Sequence, residues 1–259
     1  MELRVATFNL RNFTAEDGDD RWERRVDQVA AMFRATGAVV VGTQEGYHAM
    51  LQDLAARLPE FRWTGLGRSG DLEDEFCAVF HRPDAVSPVA SGHFWLSETP
   101  EVAGSRSWES SVPRMCTWVR LRLGPGPELL VFNTHLDHRS AEARLEGIRV
   151  ICRTIAESRR ALGLPALLLG DLNATPDSPV VSFLRSGSGL VDAFTALAPA
   201  APGGTFHGFR GGDAGGTIDY IFGTPDLAFS ATEVYRNRID GRYPSDHYPV
   251  AATVHLPEA

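Results

Sequence analysis

The chain contains no lysine: all 25 of its basic residues are arginine, set against 33 acidic ones, for a net charge of −8. It also lacks any run of clustered basic residues. Non-specific duplex binding draws most of its free energy from neutralised phosphates and released counterions, so a chain of this composition is a poor general duplex binder. A small anionic substrate would need only a few local arginines. Cysteine is nearly as scarce. Cys77, Cys116 and Cys152 are odd in number, far apart and set in apolar segments, which suits small core residues in a reducing compartment rather than a disulfide framework or a zinc site. No stretch approaches the roughly 20 apolar residues that cross a bilayer, so no membrane span is expected. The opening "MELRVATFNL" has no basic segment followed by an apolar one, and the expected location is cytoplasmic.

What is present is ordinary for a globular protein: 259 residues, 43% hydrophobic and 22% charged, enough to bury a core without staples. No linker or low-complexity segment divides the chain, so one domain over residues 1–259 is expected. A strand near 3–9 leads through "TAEDGDD" to a helix over about 21–36, where Trp22, Val26, Val29 and Phe33 recur at helical spacing and Asp19 or Asp20 is placed to cap. "AVVVGTQE" then reads as a strand buried on both faces with a polar C-terminal end.

The same plan recurs in the second half. "LLVFNTHLDH" is a strand ending in polar residues, and a helix follows over about 140–162, with Leu145, Ile148, Ile151 and Ile155 on one face and Gly163 and Pro165 as its stop; "ALLLGDLNA" is the next strand. Further strands are expected near 61–65, 76–81, 115–123, 217–222, 228–236 and 248–255. If each strand–helix–strand copy belongs to its own helix-covered sheet, the two mixed sheets pack face to face as a four-layer α/β sandwich. Their polar strand ends then converge at one edge. Stretches 65–75, 97–114 and 199–216 are too long for plain connectors and are candidate functional loops.

The chemistry gathers in "TFNLRN", "GTQEG", "NTHLDH", "GDLNATP", "TIDYIF" and "YPSDHYPV". Each residue alone has an ordinary structural explanation: Asn9 as a strand-end hydrogen bonder, Glu45 as a loop acid, His135 as a satisfied core histidine, Asp171 and Asn173 as an Asx turn. Alternation along a strand sharpens this, because residues i and i+2 share a face. Asn133 with His135, and Asp171 with Asn173, therefore present paired polar groups while Leu172 turns into the core. Asp219 sits in an apolar strand, where an unpaired carboxylate costs on the order of several kcal/mol, and His247 of "SDH" is its natural partner. Asn9, Glu45, Asp171, Asn173 and Asp246 are hard oxygen donors suited to magnesium or manganese. Asp246 is then expected to face a metal and His247 a substrate.

Taken in order, "TFNLR", "QE", "NTHLDH", "GDLNATPDS", "IDYIF" and "SDHYPV" resemble the endonuclease/exonuclease/phosphatase family over nearly the whole chain. "HFWLSETP", "SW", "TFHGF" and "RYPSDH" mark it as similar to a compact bacterial branch. The resemblance implies a metal-dependent phosphoesterase on a four-layer α/β sandwich. It places Glu45, Asn9 and Asp246 at a Mg2+ or Mn2+ site, Asp171 on the attacking water, and Asn173 on that water or a phosphate oxygen. His247, paired with Asp219, falls to the phosphoryl group, and His135 to phosphate stabilisation or leaving-group protonation. Arg114, Asn133 and His207 are the candidate substrate-binding residues.

The expected substrate is a phosphate ester. The acidic composition favours a small-molecule or lipid-headgroup diester or monoester. The alternative is single-stranded or terminal nucleic acid, stacked on Trp95, Trp108, Phe206, His207 and Phe209. A binding protein that kept the fold and lost catalysis is a third reading, set against the fact that every expected catalytic position is filled. Oligomeric state is not legible.

Overall fold

The computed structural model describes residues 1–197, 202–213 and 215–257. Twelve strands form two six-stranded mixed sheets. The first contains β1 (Glu2–Asn9), β2 (Val40–Gln44), β3 (Arg62–Thr64), β4 (Val79–His81), β11 (Ala228–Val234) and β12 (Val250–His255), in the order β11-β12-β1-β2-β4-β3. The second contains β5 (Val86–Trp95), β6 (Met115–Leu123), β7 (Glu128–His135), β8 (Ala166–Asp171), β9 (Val191–Asp192) and β10 (Asp219–Gly223), in the order β5-β6-β7-β8-β10-β9. Each sheet holds one parallel pair, β1 with β2 and β7 with β8. The crossovers are α1 (Trp22–Thr36) and α3 (Ala141–Leu162), the two helices expected from periodicity. This is the four-layer α/β sandwich.

Alternation along β1 shows how the layers are sorted. Leu3 and Val5 face the other sheet, where they join a core with Val131, Leu169 and Ile221, whereas Ala6 and Phe8 face α1 and pack with Val26, Val29 and Phe33. A strand covered on both sides must be apolar on both, so polar side chains survive only at its end. The helices stop where expected: Gly37 (φ 66°) and Gly163 (φ 67°) take the left-handed conformation that closes a helix. Ser140 caps α3 by accepting from the Ala143 amide at 3.1 Å.

The cap of α1 differs from expectation. Arg21 occupies that position with no side-chain bond, Asp19 pairs with Arg24 instead, and only the backbone carbonyl of Asp20 is used, by Arg25. Several elements have no clear sequence signal, among them α2 (His48–Arg57), α4 (Pro179–Ser186) and the edge strand β5. β5 is mostly exposed along its middle and breaks register between Pro88 and Ala90, so it has neither alternation nor an apolar run to betray it. A short helix, α5 (Ala193–Leu197), follows β9. Of the expected long loop at 199–216, residues 199–201 and 214 lie outside the described residues. Among the described residues no helix is long and apolar enough to cross a membrane.

Candidate active site

The parallel pairs fix where the chemistry goes. In β1 and β2, Asn9 lies opposite Gln44; in the second sheet, His135, Asp171 and Asp219 are neighbours across β7, β8 and β10. Strand ends of both sheets therefore open on one cleft of about 370 Å³. It is lined by Glu45, His135, Asp171, Asn173, Asp246 and His247, and on one side by Arg114.

Asn9 joins the two sheets. Its side-chain nitrogen donates to Glu45 Oε1 and to Asp171 Oδ2, both at 2.9 Å, while its oxygen accepts from the Arg11 amide at 2.9 Å. Three residues around this point, Arg11 (φ 53°), Glu45 (φ 62°) and Asn173 (φ 45°), adopt left-handed backbone that is uncommon outside glycine. Asn173 forms the Asx turn expected of it. Its amide donates to Asp171 Oδ1 at 2.8 Å in an Asx turn, and its side chain donates to His135 Nε2 and the Leu136 carbonyl, both at 3.0 Å. Leu172 is buried in the core between them.

His247 Nδ1 donates to Asp219 Oδ2 at 2.9 Å, and its Nε2 lies 3.8 Å from Asp171 Oδ2. Burial opposes charge on this imidazole, but Asp219, then Asp171 and Asp246, hold its pKa well above the ordinary range, so it is an imidazolium. His135 is the reverse. Burial, reinforced by Arg114 and His247, keeps it well below the ordinary range and therefore neutral. In that neutral form Nε2 accepts from Asn173 and orients its amide.

The carboxylates are crowded. Burial and Asp219 raise Asp171 to about 7 against the opposing pull of His247, and burial and Glu45 raise Glu75, also in the cleft wall, to about 7. Burial, with Glu45 adding to it, also raises Asp246. Glu45 itself stays low despite burial, because Asn9, His247 and Asn12 favour its charged form. Four acids facing one cleft, all oxygen donors, fit a hard divalent cation, which would relieve their mutual repulsion. The tightest cluster of possible ligands is a different one: Asp171, Asp219 and His247 have atoms all within 4.8 Å of one another. An imidazolium bonded to Asp219 offers no lone pair to a metal, which leaves the carboxylates on the cleft, Glu45 and Asp246 among them, as oxygen donors for an ion.

Two expected substrate contacts fall outside the cleft. Asn133 shares a face with His135 but lies two residues deeper, between the sheets. It accepts from Gln44 Nε2 at 2.7 Å and donates to the carbonyls of Thr43 and Ala78, both at 2.9 Å. Gly42 makes room for it, since a Cβ there would meet Asn133 Oδ1 at 2.6 Å. Alternation gives the face of a side chain and not its depth. His207 stacks on Tyr248 with ring centroids 3.9 Å apart, accepts from the Gly211 amide and is pushed by burial down to about 4; it is a neutral packing piece behind the cleft wall. Its neighbour Phe206, 38% exposed and edge-on to His247, takes the rim position instead.

Sequence reasoning missed Arg11, Asn12, Arg68, Glu75 and His138, all in the cleft wall. Arg11, Asn12 and His138 lie inside the quoted motifs, so proximity was a usable signal. Arg68 and Glu75 come from the stretch 65–75, marked only by its length as a candidate functional loop, with nothing to single out either residue. Of the other aromatic residues proposed to stack bases, Trp95 is buried with Nε1 on the Arg68 carbonyl at 2.6 Å, Trp108 packs against the core, and Phe209 stands beside Arg25.

A sequence model described as Endonuclease/Exonuclease/phosphatase family matches residues 6–247. Among solved structures, an endonuclease/exonuclease/phosphatase family protein from Bacteroides thetaiotaomicron is 32% identical, with a TM-score of 0.93 over 99% of this chain and 96% of its own. A mannosyl-6-phosphatase from the same organism is 32% identical, with a TM-score of 0.89 over 98% of this chain and 100% of its own. The catalytic domain of human Nocturnin, with bound sulfate, shares the fold at 19% identity and a TM-score of 0.76, over 99% of this chain and 94% of its own. No match was found among curated proteins.

Proposed function

The chain belongs to the endonuclease/exonuclease/phosphatase family, whose members are hydrolases of phosphate esters, and on that premise we propose that it cleaves a small-molecule phosphate ester by in-line attack of water. Asp171 takes the role of general base. Its pKa of about 7 matches the pH at which it would work, and it is held between the Asn9 amide and the His247 imidazolium. The attacking water gives its proton to Asp171 as its oxygen bonds to phosphorus; the bond from phosphorus to the leaving oxygen breaks, and solvent protonates that oxygen.

His247, charged and fixed by Asp219, donates from Nε2 to the phosphoryl oxygens, and Asn173, its amide hydrogens spent on His135 and the Leu136 carbonyl, keeps its oxygen to accept from the attacking water. Glu45, Asp246 and Asn9 are the residues that would hold Mg2+ or Mn2+. When bound, the ion neutralises charge on the phosphoryl group and on the leaving oxygen.

The observation that carries this reading is Asp171. A buried carboxylate with a raised pKa, flanked by a charged histidine and facing a cleft, is poor structural design and good base chemistry. The small substrate is supported by the similarity to the mannosyl-6-phosphatase and by the rim, where Phe206 is the one candidate stacking ring that reaches the cleft. The test compares bis(p-nitrophenyl) phosphate and p-nitrophenyl phosphate under Mg2+, Mn2+ and Ca2+, with Asp171→Asn as the blank. Hydrolysis of at least one ester, abolished in the blank, is expected. No hydrolysis of either, or a fully active blank, would defeat the reading.

A further inference from the structure

The cleft has a blind end. Beside Arg68, Arg114 and His135 it narrows to a space of about 10 Å³ that Glu45 and Glu75 also line and that reaches Cys77 and Met115, 5% and 1% exposed. A space of that size admits about one water-sized atom. An oxygen fits in that volume and an ester substituent does not; Cys77 and Met115, on its lining, pack with Trp95 and Leu66 as a small core of their own.

The wall sets two guanidinium groups with unspent donors beside the carboxylates of Glu45 and Glu75. Arg114 is 5% exposed; Nη2 is 3.0 Å from His138 Nδ1, Nε is buried without a partner, and among the described residues Nη1 has no acceptor. Arg68 spends Nε on Asp74 at 2.9 Å and Nη1 on Glu75 at 2.7 Å, leaving Nη2 without an acceptor among the described residues. These bonds, with Trp95 Nε1 on its own carbonyl, hold Arg68 in place. The loop bearing it is pressed on its neighbour: a Cβ on Gly70 would meet the Ala103 Cβ at 2.7 Å.

We propose that this wall makes the enzyme a phosphomonoesterase, with Arg68 as the specificity-determining residue: it receives a terminal phosphoryl oxygen and leaves no room for a second ester group. The inference rests on the phosphoesterase reading above. A monoester presents two unshared charges to the guanidinium groups and departs toward the open Phe206 side. A diester would have to push its second substituent into the blind end or turn its back on Arg68.

The test pairs two substrates with one leaving group, p-nitrophenyl phosphate and methyl p-nitrophenyl phosphate, in wild type, Arg68→Met and Arg68→Lys, with Mg2+ and a melting curve for each. The wild type is expected to favour the monoester. Arg68→Met should lower its kcat/KM by about tenfold, mainly through KM, the loss of one charge-assisted hydrogen bond. The diester should fall far less, and Arg68→Lys should recover part of the difference. Competitive inhibition by inorganic phosphate should weaken in parallel, while dimethyl phosphate should inhibit no form. Preference of the wild type for the methyl diester overturns the proposal, as does an equal fall on both substrates in Arg68→Met. Should Arg68→Met fail to fold, the wild-type substrate ratio and the phosphate-against-dimethyl phosphate comparison decide. Hydrolysis of neither ester sinks the underlying reading and this inference with it, whereas diester cleavage alone sinks only the wall.

Discussion

Arg25 never touches the cleft, yet its removal should damage the site. It is 1% exposed on α1 and its guanidinium is shared among four backbone carbonyls: Asp20 at 2.8 Å, Leu10 at 2.6 Å, Pro244 at 2.9 Å and Arg11 at 2.5 Å. It lies over the rings of Trp22 and Phe209. Burial pushes its pKa down to about 10, so it stays charged at neutral pH. The segments it joins are the exit of β1, which carries Asn9 and Arg11, and the approach to β12, which carries Asp246. In Arg25→Met four carbonyls lose their donor at about 1 kcal/mol each, offset in part by relief from burying a charge, for a net loss of about 2–3 kcal/mol. For a chain of this size each kcal/mol is worth about 2–4 °C, so melting should fall by about 4–12 °C. Turnover at a temperature where the variant is folded should drop about tenfold as Asp246 and Arg11 lose their anchor. Lysine cannot reproduce a fork to four acceptors, so Arg25→Lys should rescue little. Thermal melts and steady-state assays on the three proteins decide. An Arg25→Met protein melting within about 1 °C of wild type, or one destabilised but with undiminished kcat, would refute the anchoring argument.

Other outcomes follow from the same geometry. His247→Ala and Asp219→Ala should each lower turnover by about 10²-fold or more with the fold retained, checked by circular dichroism beside the assay. Asn133→Ala should cost about 2–4 kcal/mol in urea unfolding by stranding Gln44 and two carbonyls between the sheets. Its KM should stay near that of wild type, in contrast to a substrate contact. The pH dependence of stability should carry a mark of Asp137. Burial opposes its ionisation, but Ser111 and the amides of Ser140, Arg139 and Ser111 hold its pKa below the ordinary carboxylate range. A depressed carboxylate stabilises the fold above its unfolded pKa and stops doing so as pH falls through the folded one. Wild-type stability should therefore decline as pH drops below about 4, and the decline should be shallower in Asp137→Asn.

The two parallel strand–helix–strand units were legible because their signals are local: apolar runs ending in polar residues, and helices closed by Gly37 and Gly163. Those units brought Asn9, Glu45, Asp171 and Asn173 to one edge; Asp219, Asp246 and His247 lie outside them and were added by the need of a buried carboxylate for a partner and by the family resemblance, and the Asp219–His247 pair has the geometry expected of it. What a single strand cannot encode is depth relative to the facing sheet. Asn133 and His135 are alike in sequence pattern, but Gln44 from the other sheet closes over the first and the second reaches the cleft. Nor can a loop announce its landing place. Arg68 and Glu75 owe their positions to tertiary bonds with each other and with Trp95, and Arg25 looks like any surface arginine of an amphipathic helix until two distant loops fold over it.

The most direct measurement is titration of metal-free protein with Mn2+ by calorimetry, in wild type and in Glu45→Gln, alongside phosphate-ester hydrolysis before and after chelation. Saturable binding that weakens by about tenfold or more in the variant, with activity lost to chelator and restored by Mg2+ or Mn2+, is the predicted result. Undiminished binding in Glu45→Gln, or hydrolysis indifferent to chelator, would contradict the claim that these acids are gathered to hold a divalent ion.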